Sequence, residues 1–280
     1  MSGSIEIQNP KFKIPVAWTI AGSDPGGGAG LQADLKTMQA FDVHGCSVVA
    51  AITVQNTLGV EAVDVVSAEL VEKQLDALAR DLPPTAIKTG MLGSPDVCKI
   101  LSPYLAQPGV SVVCDPVLRS TSGHGLFDET ALSAYKESIY PYTTVLTPNL
   151  PETRLLLGED LPPEEAAEHL LDLGPASVLI KGGHAEGSEC RDYWTDGKTA
   201  LWLSSPRIDS RHTHGTGCIL ASAIASSIAL GQDLPEAIIA AKTFLNQCLK
   251  SPANVGAGHG PMRIETFRND PLDRPNIAHK

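Results

Sequence analysis

The sequence predicts one α/β domain, a mainly parallel sheet covered by helices on both faces, and three observations carry that prediction. Apolar runs without polar alternation recur along the chain, as strands buried on both faces require. Stretches with helical spacing lie between them, and strand–helix alternation implies parallel pairing with helices above and below. No repeat, low-complexity block or linker divides the 280 residues.

Residues 1–13 lack periodicity and read as a tail. The first strand begins at Val16 and runs to Ala21, followed by a glycine-rich loop to Gly30 and a helix marked by Leu31, Leu35, Met38 and Phe41. Strands are expected near 45–53, 85–89, 110–115, 143–147 and 176–181, with helices near 68–80, 95–105, 128–138, 150–157 and 163–173. Asp196-Gly197 between two β-rich runs predicts an antiparallel edge hairpin over 191–203. A helix from Thr216 and another over 235–250, with Pro235 in its first turn, follow. The domain is bounded at 14–260, with 261–280 as a C-terminal tail.

A chain of this size buries about 75% of its unfolded surface, so a full core is available. With 42% hydrophobic residues, 19% charged residues and a net charge of −11, small ligands are favoured over nucleic acid or anionic membrane. No secretory signal and no membrane-length apolar run is present, so a cytoplasmic location is expected. The six cysteines are scattered and never in C-x-x-C spacing, which argues against zinc and disulfides.

The most informative stretch is His212 to Leu230. Gly215 and Gly217 precede a long apolar run, so backbone N–H groups and the helix dipole converge on one point, an anion site or simply a close helix–sheet contact. Cys218 sits at this helix mouth, where a thiol is expected to ionise more readily than usual. In open α/β sheets ligands gather beyond the carboxyl ends of the strands. The loops at 22–30, 53–57, 88–94, 115–125, 147–152 and 181–185 are therefore expected to share one cleft with 215–218.

No G-x-x-x-x-G-K-[ST] motif occurs. Gly28 to Ala33 fits a relaxed dinucleotide fingerprint, which makes a nicotinamide-dependent oxidoreductase a rival, but the next strand ends in Thr53-Val-Gln-Asn56 where that motif expects an acid for the ribose. Gln55 offers a donor and an acceptor together, suited to a ring nitrogen beside an exocyclic amine, or else to tying down a loop.

Eight motifs in order carry a family resemblance: Ala21-Gly-Ser-Asp-Pro-Gly-Gly-Gly-Ala-Gly30, Gln32-Ala-Asp-Leu-Lys-Thr37, Val54-Gln-Asn-Thr57, Lys88-Thr-Gly-Met-Leu92, Asp115-Pro-Val117, Thr147-Pro-Asn-Leu-Pro-Glu152, Lys181-Gly-Gly-His184 and Thr213-His-Gly-Thr-Gly-Cys218. From about Val16 to Gly260 the chain resembles the hydroxymethylpyrimidine/phosphomethylpyrimidine kinases of thiamine biosynthesis, in the ribokinase-like superfamily. The resemblance implies a three-layer α/β/α fold and ATP- and magnesium-dependent phosphorylation of 4-amino-5-hydroxymethyl-2-methylpyrimidine and of its monophosphate. A homodimer is the expected assembly. Vitamin B6 kinases are relatives and form the alternative; the extra lid cysteine of some of them has no counterpart at Leu118, Arg119 or Ser120.

The resemblance also distributes roles. Gly215, Thr216, Gly217 and Cys218 form the anion hole, with Cys218 as the base that takes the substrate proton, or else a small residue that merely fits. Gly22, Asp34, Gln55, Met91 and Val117 surround the pyrimidine, although a solvated helix carboxylate also accounts for Asp34. Asn149 and Lys181 are assigned to the nucleotide phosphates and Glu152 to magnesium, while Asp115, at another strand end, is a further candidate for the nucleotide-phosphate or metal region; Asn149 and Glu152 also suit a capping box. The loop after Asp115, with Arg119 and His124, is a candidate lid. The sequence departs from the family pattern at Gly26, usually serine, and Ile219, usually threonine.

Overall fold

The computed structural model describes residues 13–117, 129–185 and 187–279. The chain runs β1 (Val16–Ser23), α1 (Gly30–Ala40), β2 (His44–Asn56), β3 (Gly59–Val65), α2 (Ala68–Asp81), β4 (Ala86–Thr89), α3 (Pro95–Leu105), β5 (Ser111–Cys114) and α4 (Glu129–Ser138). It continues through β6 (Val145–Leu146), α5 (Leu150–Leu157), α6 (Pro163–Leu171), β7 (Val178–Ile180), β8 (Glu189–Thr195), β9 (Ala200–Pro206), α7 (Thr216–Ala229), α8 (Leu234–Lys250) and β10 (Asn276–His279). The ten strands make one sheet ordered β10-β9-β8-β7-β6-β5-β4-β1-β2-β3. Strands β2, β1, β4, β5, β6 and β7 are parallel, while β3, β8, β9 and β10 pair antiparallel at the two sides.

Side chains alternate between two cores, as a sheet covered on both faces requires. Trp18 and Ile20 of β1 meet Leu75 of α2, Leu101 of α3, Leu156 of α5 and Leu170 of α6 on one face. Ala17, one step out of phase, meets α1, α7 and α8 through Met38, Ile224 and Phe244 on the other. Helix α7 presses closely on the sheet because its buried residues are largely alanine and serine, and Ser226 returns its hydroxyl proton to the Ser222 carbonyl at 2.7 Å.

Three expectations change. Strand β2 runs on to Asn56 and turns through Thr57-Leu58 into β3, so the expected 53–57 loop is the end of an edge hairpin. Strand β3 escapes periodicity because most of its side chains are half-buried or exposed. Residues 261–279, read as a tail, pack on the domain: β10 extends the sheet beside β9, and Phe267 stacks on Phe41 with ring centroids 4.5 Å apart. The candidate lid with Arg119 and His124 lies outside the described residues.

Candidate active site

A cavity of about 960 Å³ opens over the carboxyl ends of the parallel strands, and Gly22, Gln55, Met91, Asp115, Val117, Asn149, Glu152, Lys181 and residues 215–218 all border it. The single shared cleft that the sequence implied is therefore present.

Its floor is the mouth of α7. Gly215 caps the helix at φ 86°, a left-handed value, and a Cβ there would stand 1.9 Å from the Gly28 carbonyl oxygen. Having no side chain, Gly215 cannot cap; Thr216 N–H turns back to the Thr213 carbonyl at 3.3 Å, which leaves the Gly217 and Cys218 N–H groups to face an anion. A Cβ on Gly217 would lie 3.3 Å from both Asp115 Oδ2 and Lys181 Nζ, so the helix mouth abuts a charged cluster.

That cluster is assembled from three strand ends. Lys181, just past β7, donates to Asp115 Oδ1 at 2.7 Å and stands 3.8 Å from Glu152 Oε2. Asn149 caps α5 in a full capping box: its side-chain oxygen accepts from the Glu152 amide, and Glu152 Oε2 accepts from the Asn149 amide, each at 2.8 Å. Burial pushes the Glu152 carboxyl up to about 7, with Lys181 opposing and Asp115 reinforcing. Burial would lower the Lys181 ammonium, but the Asp115 and Glu152 carboxylates outweigh it and hold it above its ordinary value.

Gly22 and Met91 meet on the cavity wall, where a Cβ on Gly22 would come within 2.3 Å of Met91 Cε. Asp34 is not on the wall. It is fully buried, and its four acceptor sites are filled by Lys88 Nζ on both oxygens, Ser222 on Oδ1 and Thr19 on Oδ2. The residue at the cavity is Lys88, which sequence reading quoted without a role. A lysine inside an apolar strand run demands a buried carboxylate partner, and that demand was the available signal.

Burial pushes the Cys218 thiol up to about 11 despite the Lys88 charge and the Gly30 amide, with Asp34 and Asp115 pushing the same way. Burial thus works against the easy ionisation expected of a thiol at a helix N-terminus. The glycine-rich loop also differs from a dinucleotide cradle. Its amides turn onto Asp24: Gly26 N–H donates to Oδ1 at 2.8 Å, and Gly28 and Ala29 donate to Oδ2 at 3.0 and 2.9 Å. Those donors are not free for a pyrophosphate, which removes the physical basis of the oxidoreductase reading.

Pro206 at the end of β9, Ile208 just past it, and Leu245 and Leu249 of α8 also line the cavity. Among the described residues no three His, Cys, Asp or Glu side chains surround one point, and no helix is long and apolar enough to cross a membrane.

The model of the family described as phosphomethylpyrimidine kinase matches residues 24–263. A hydroxymethylpyrimidine/phosphomethylpyrimidine kinase of Synechococcus elongatus is 43% identical over 254 residues, covering 89% of this chain and 97% of that protein. One from Rhizobium meliloti is 44% identical, covering 88% and 96%. Among solved structures, a pyridoxal kinase from Staphylococcus aureus in complex with AMP-PCP superposes with a TM-score of 0.87 at 31% identity, covering 96% and 100%. A phosphomethylpyrimidine kinase from Clostridium difficile 630 gives 0.72 at 35%, covering 84% and 99%. With a ribokinase-like α/β fold, matching motifs and relatives of this similarity along most of its length, the chain belongs to the phosphomethylpyrimidine kinase family.

Proposed function

We propose that this protein is a cytoplasmic kinase of thiamine diphosphate biosynthesis that transfers the γ-phosphoryl group of ATP to 4-amino-5-hydroxymethyl-2-methylpyrimidine, and then a second group to the monophosphate. The observation that carries the reading is the uncapped α7 mouth, placed between Lys181 and Asp115 on one side and the Gly22–Met91–Gln55 end of the cavity on the other.

The substrate hydroxyl oxygen attacks Pγ, the bond from Pγ to the β,γ-bridging oxygen breaks, and ADP leaves. The N–H groups of Gly217 and Cys218 and the Lys181 ammonium stabilise charge on the phosphoryl oxygens. Phosphate oxygens extend toward the Pro206–Leu249 end, which takes the base. Two carboxylates, Asp115 and Glu152, suit magnesium, which retains its waters and accepts few protein ligands. Magnesium would bind there through water and supply charge neutralisation between the phosphates.

Cys218 takes the hydroxyl proton as thiolate in the first transfer. With its value near 11, roughly one molecule in ten thousand holds the thiolate at pH 7. The second transfer differs chemically: the nucleophile is already an anionic phosphate oxygen and needs no base. Cys218→Ala is therefore expected to slow the first transfer about 10²-fold while leaving the second nearly unchanged. Equal losses in both steps, or none, remove the base role.

A vitamin B6 kinase is the second reading, favoured by the likeness to a Staphylococcus aureus pyridoxal kinase in complex with AMP-PCP and pyridoxal, at a TM-score of 0.84. Purified protein with ATP and magnesium, offered hydroxymethylpyrimidine, its monophosphate and pyridoxal separately, decides between them. Phosphorylation of pyridoxal alone overturns the first reading. The exposed apolar side chains Ile52 and Val54, two positions apart and so on one face of the β2–β3 edge hairpin, support a homodimer formed there.

A further inference from the structure

His214 belongs to the motif at the α7 mouth, yet its side chain does not contribute to the anion hole. It turns back into the domain, 8% exposed, and its Nε2 stands 3.0 Å from Asp24 Oδ2. The terminal amide of Gln55 approaches the same ring nitrogen to 2.9 Å. Two groups that face one imidazole nitrogen compete for a single hydrogen or a single lone pair.

Asp24 decides which. Burial works against its charge, but the bonds from His214 and from the Ala29 and Gly26 amides outweigh burial and keep the carboxyl below its ordinary value. An ionised carboxylate 3.0 Å away requires a hydrogen between the two atoms, so His214 Nε2 carries the proton. The two ends of an amide have nearly the same shape, and only the oxygen end of Gln55 is compatible with an N–H in that place. The NH2 end is then left to meet a ligand in the cavity that Gln55 lines.

We propose that His214, clamped by Asp24, is a positioning residue for substrate selectivity: it fixes which way round the Gln55 amide faces. Gln55 then presents N–H to the ring nitrogen beside the exocyclic amine, and its oxygen, shared with His214, to that amine. The inference rests on the pyrimidine reading given under Proposed function.

Histidine-selective 15N NMR of the unliganded protein tests the arrangement without a substitution. The Nε2–H tautomer of His214 is expected, and an Nδ1–H tautomer with a bare Nε2 overturns the proposal. Kinetics give a second test. His214→Met is expected to raise KM for hydroxymethylpyrimidine about tenfold, with kcat and KM for ATP within about threefold, and His214→Gln, which keeps a donor at similar reach, to restore most of the loss. In a double-mutant cycle the methionine is expected to add nothing once Gln55→Ala has been made, because the role acts through Gln55. Additive penalties, or a matched rise in KM for ATP, show a merely structural histidine and overturn the proposal. Wild-type turnover separates the two failures: no phosphorylation of the pyrimidine removes the substrate reading, whereas turnover with additive penalties removes the role of His214 alone.

Discussion

Replacing Lys88 by methionine isolates the most heavily buried charge pair beneath the site. Lys88 and Asp34 are both 0% exposed, and the ammonium meets both carboxylate oxygens, at 2.9 and 2.8 Å. In the variant Thr19 and Ser222 still donate to Asp34, but its charge is left without a counter-ion. Removing one partner of a buried pair costs about 3–5 kcal/mol. Proton uptake by the carboxyl limits the loss, since at pH 7 a group that ordinarily ionises near ~3.9 is protonated for about 4 kcal/mol. At about 2–4 °C per kcal/mol, thermal unfolding is expected roughly 6–16 °C lower. The sign with pH follows: a carboxyl that is easier to protonate when folded destabilises progressively above its unfolded value. At pH 5 the protonation cost falls to about 1.5 kcal/mol, so the deficit shrinks by more than half. Scanning calorimetry of Lys88→Met at both pH values, with Lys88→Met/Asp34→Asn as the control that removes the charge, measures this. A deficit below about 1 kcal/mol, or one equal at both pH values, would refute the reasoning.

Glu152, with its carboxyl near 7 against an ordinary 4.5, favours the protonated form when folded. Unliganded wild type is therefore expected to lose up to roughly 3 kcal/mol relative to Glu152→Gln as pH rises from 4.5 to 7, read by urea unfolding. Gly217→Ala places a methyl 3.3 Å from Asp115 Oδ2 and Lys181 Nζ in ordinary helical backbone, so kcat is expected to fall about 10²-fold with unfolding unchanged or slightly later. Gly215→Ala, at φ 86° and 1.9 Å from the Gly28 carbonyl, is expected to lose both activity and roughly 2–4 kcal/mol of stability. The first transfer is expected to accelerate as pH rises from 7 toward 11 in wild type and to stay flat in Cys218→Ala; a flat wild-type profile contradicts a thiolate base. Ile52→Asp with Val54→Asp is expected to convert a dimer to a monomer in sedimentation velocity.

The parallel strands and their helices were legible because both faces of the sheet are covered, which leaves apolar runs without alternation such as Val16 to Ala21, broken only by Thr19. Strands β3 and β10 were not, since edge strands with exposed side chains carry no such pattern. The helix mouth at the cavity was readable from Gly215 and Gly217 because backbone geometry follows directly from a missing Cβ. Side-chain pairings were not. Nothing local in the chain announces that Asp34 serves Lys88, 54 positions away, or that burial pushes the Cys218 thiol up. Asp34 was therefore expected at the cavity wall, whereas it lies buried behind Lys88, which lines the cavity.

The contact between Asp24 and His214 joins positions 190 apart, one following the first strand and the other entering α7. Neither the glycine loop nor the helix mouth is complete until the last third of the chain has threaded back against the first. A chain interrupted before α7 has a nearly finished sheet and no place for either reactant. Ligand-induced protection from proteolysis should consequently appear only in full-length molecules, making occupancy a gauge of completed synthesis as well as of affinity.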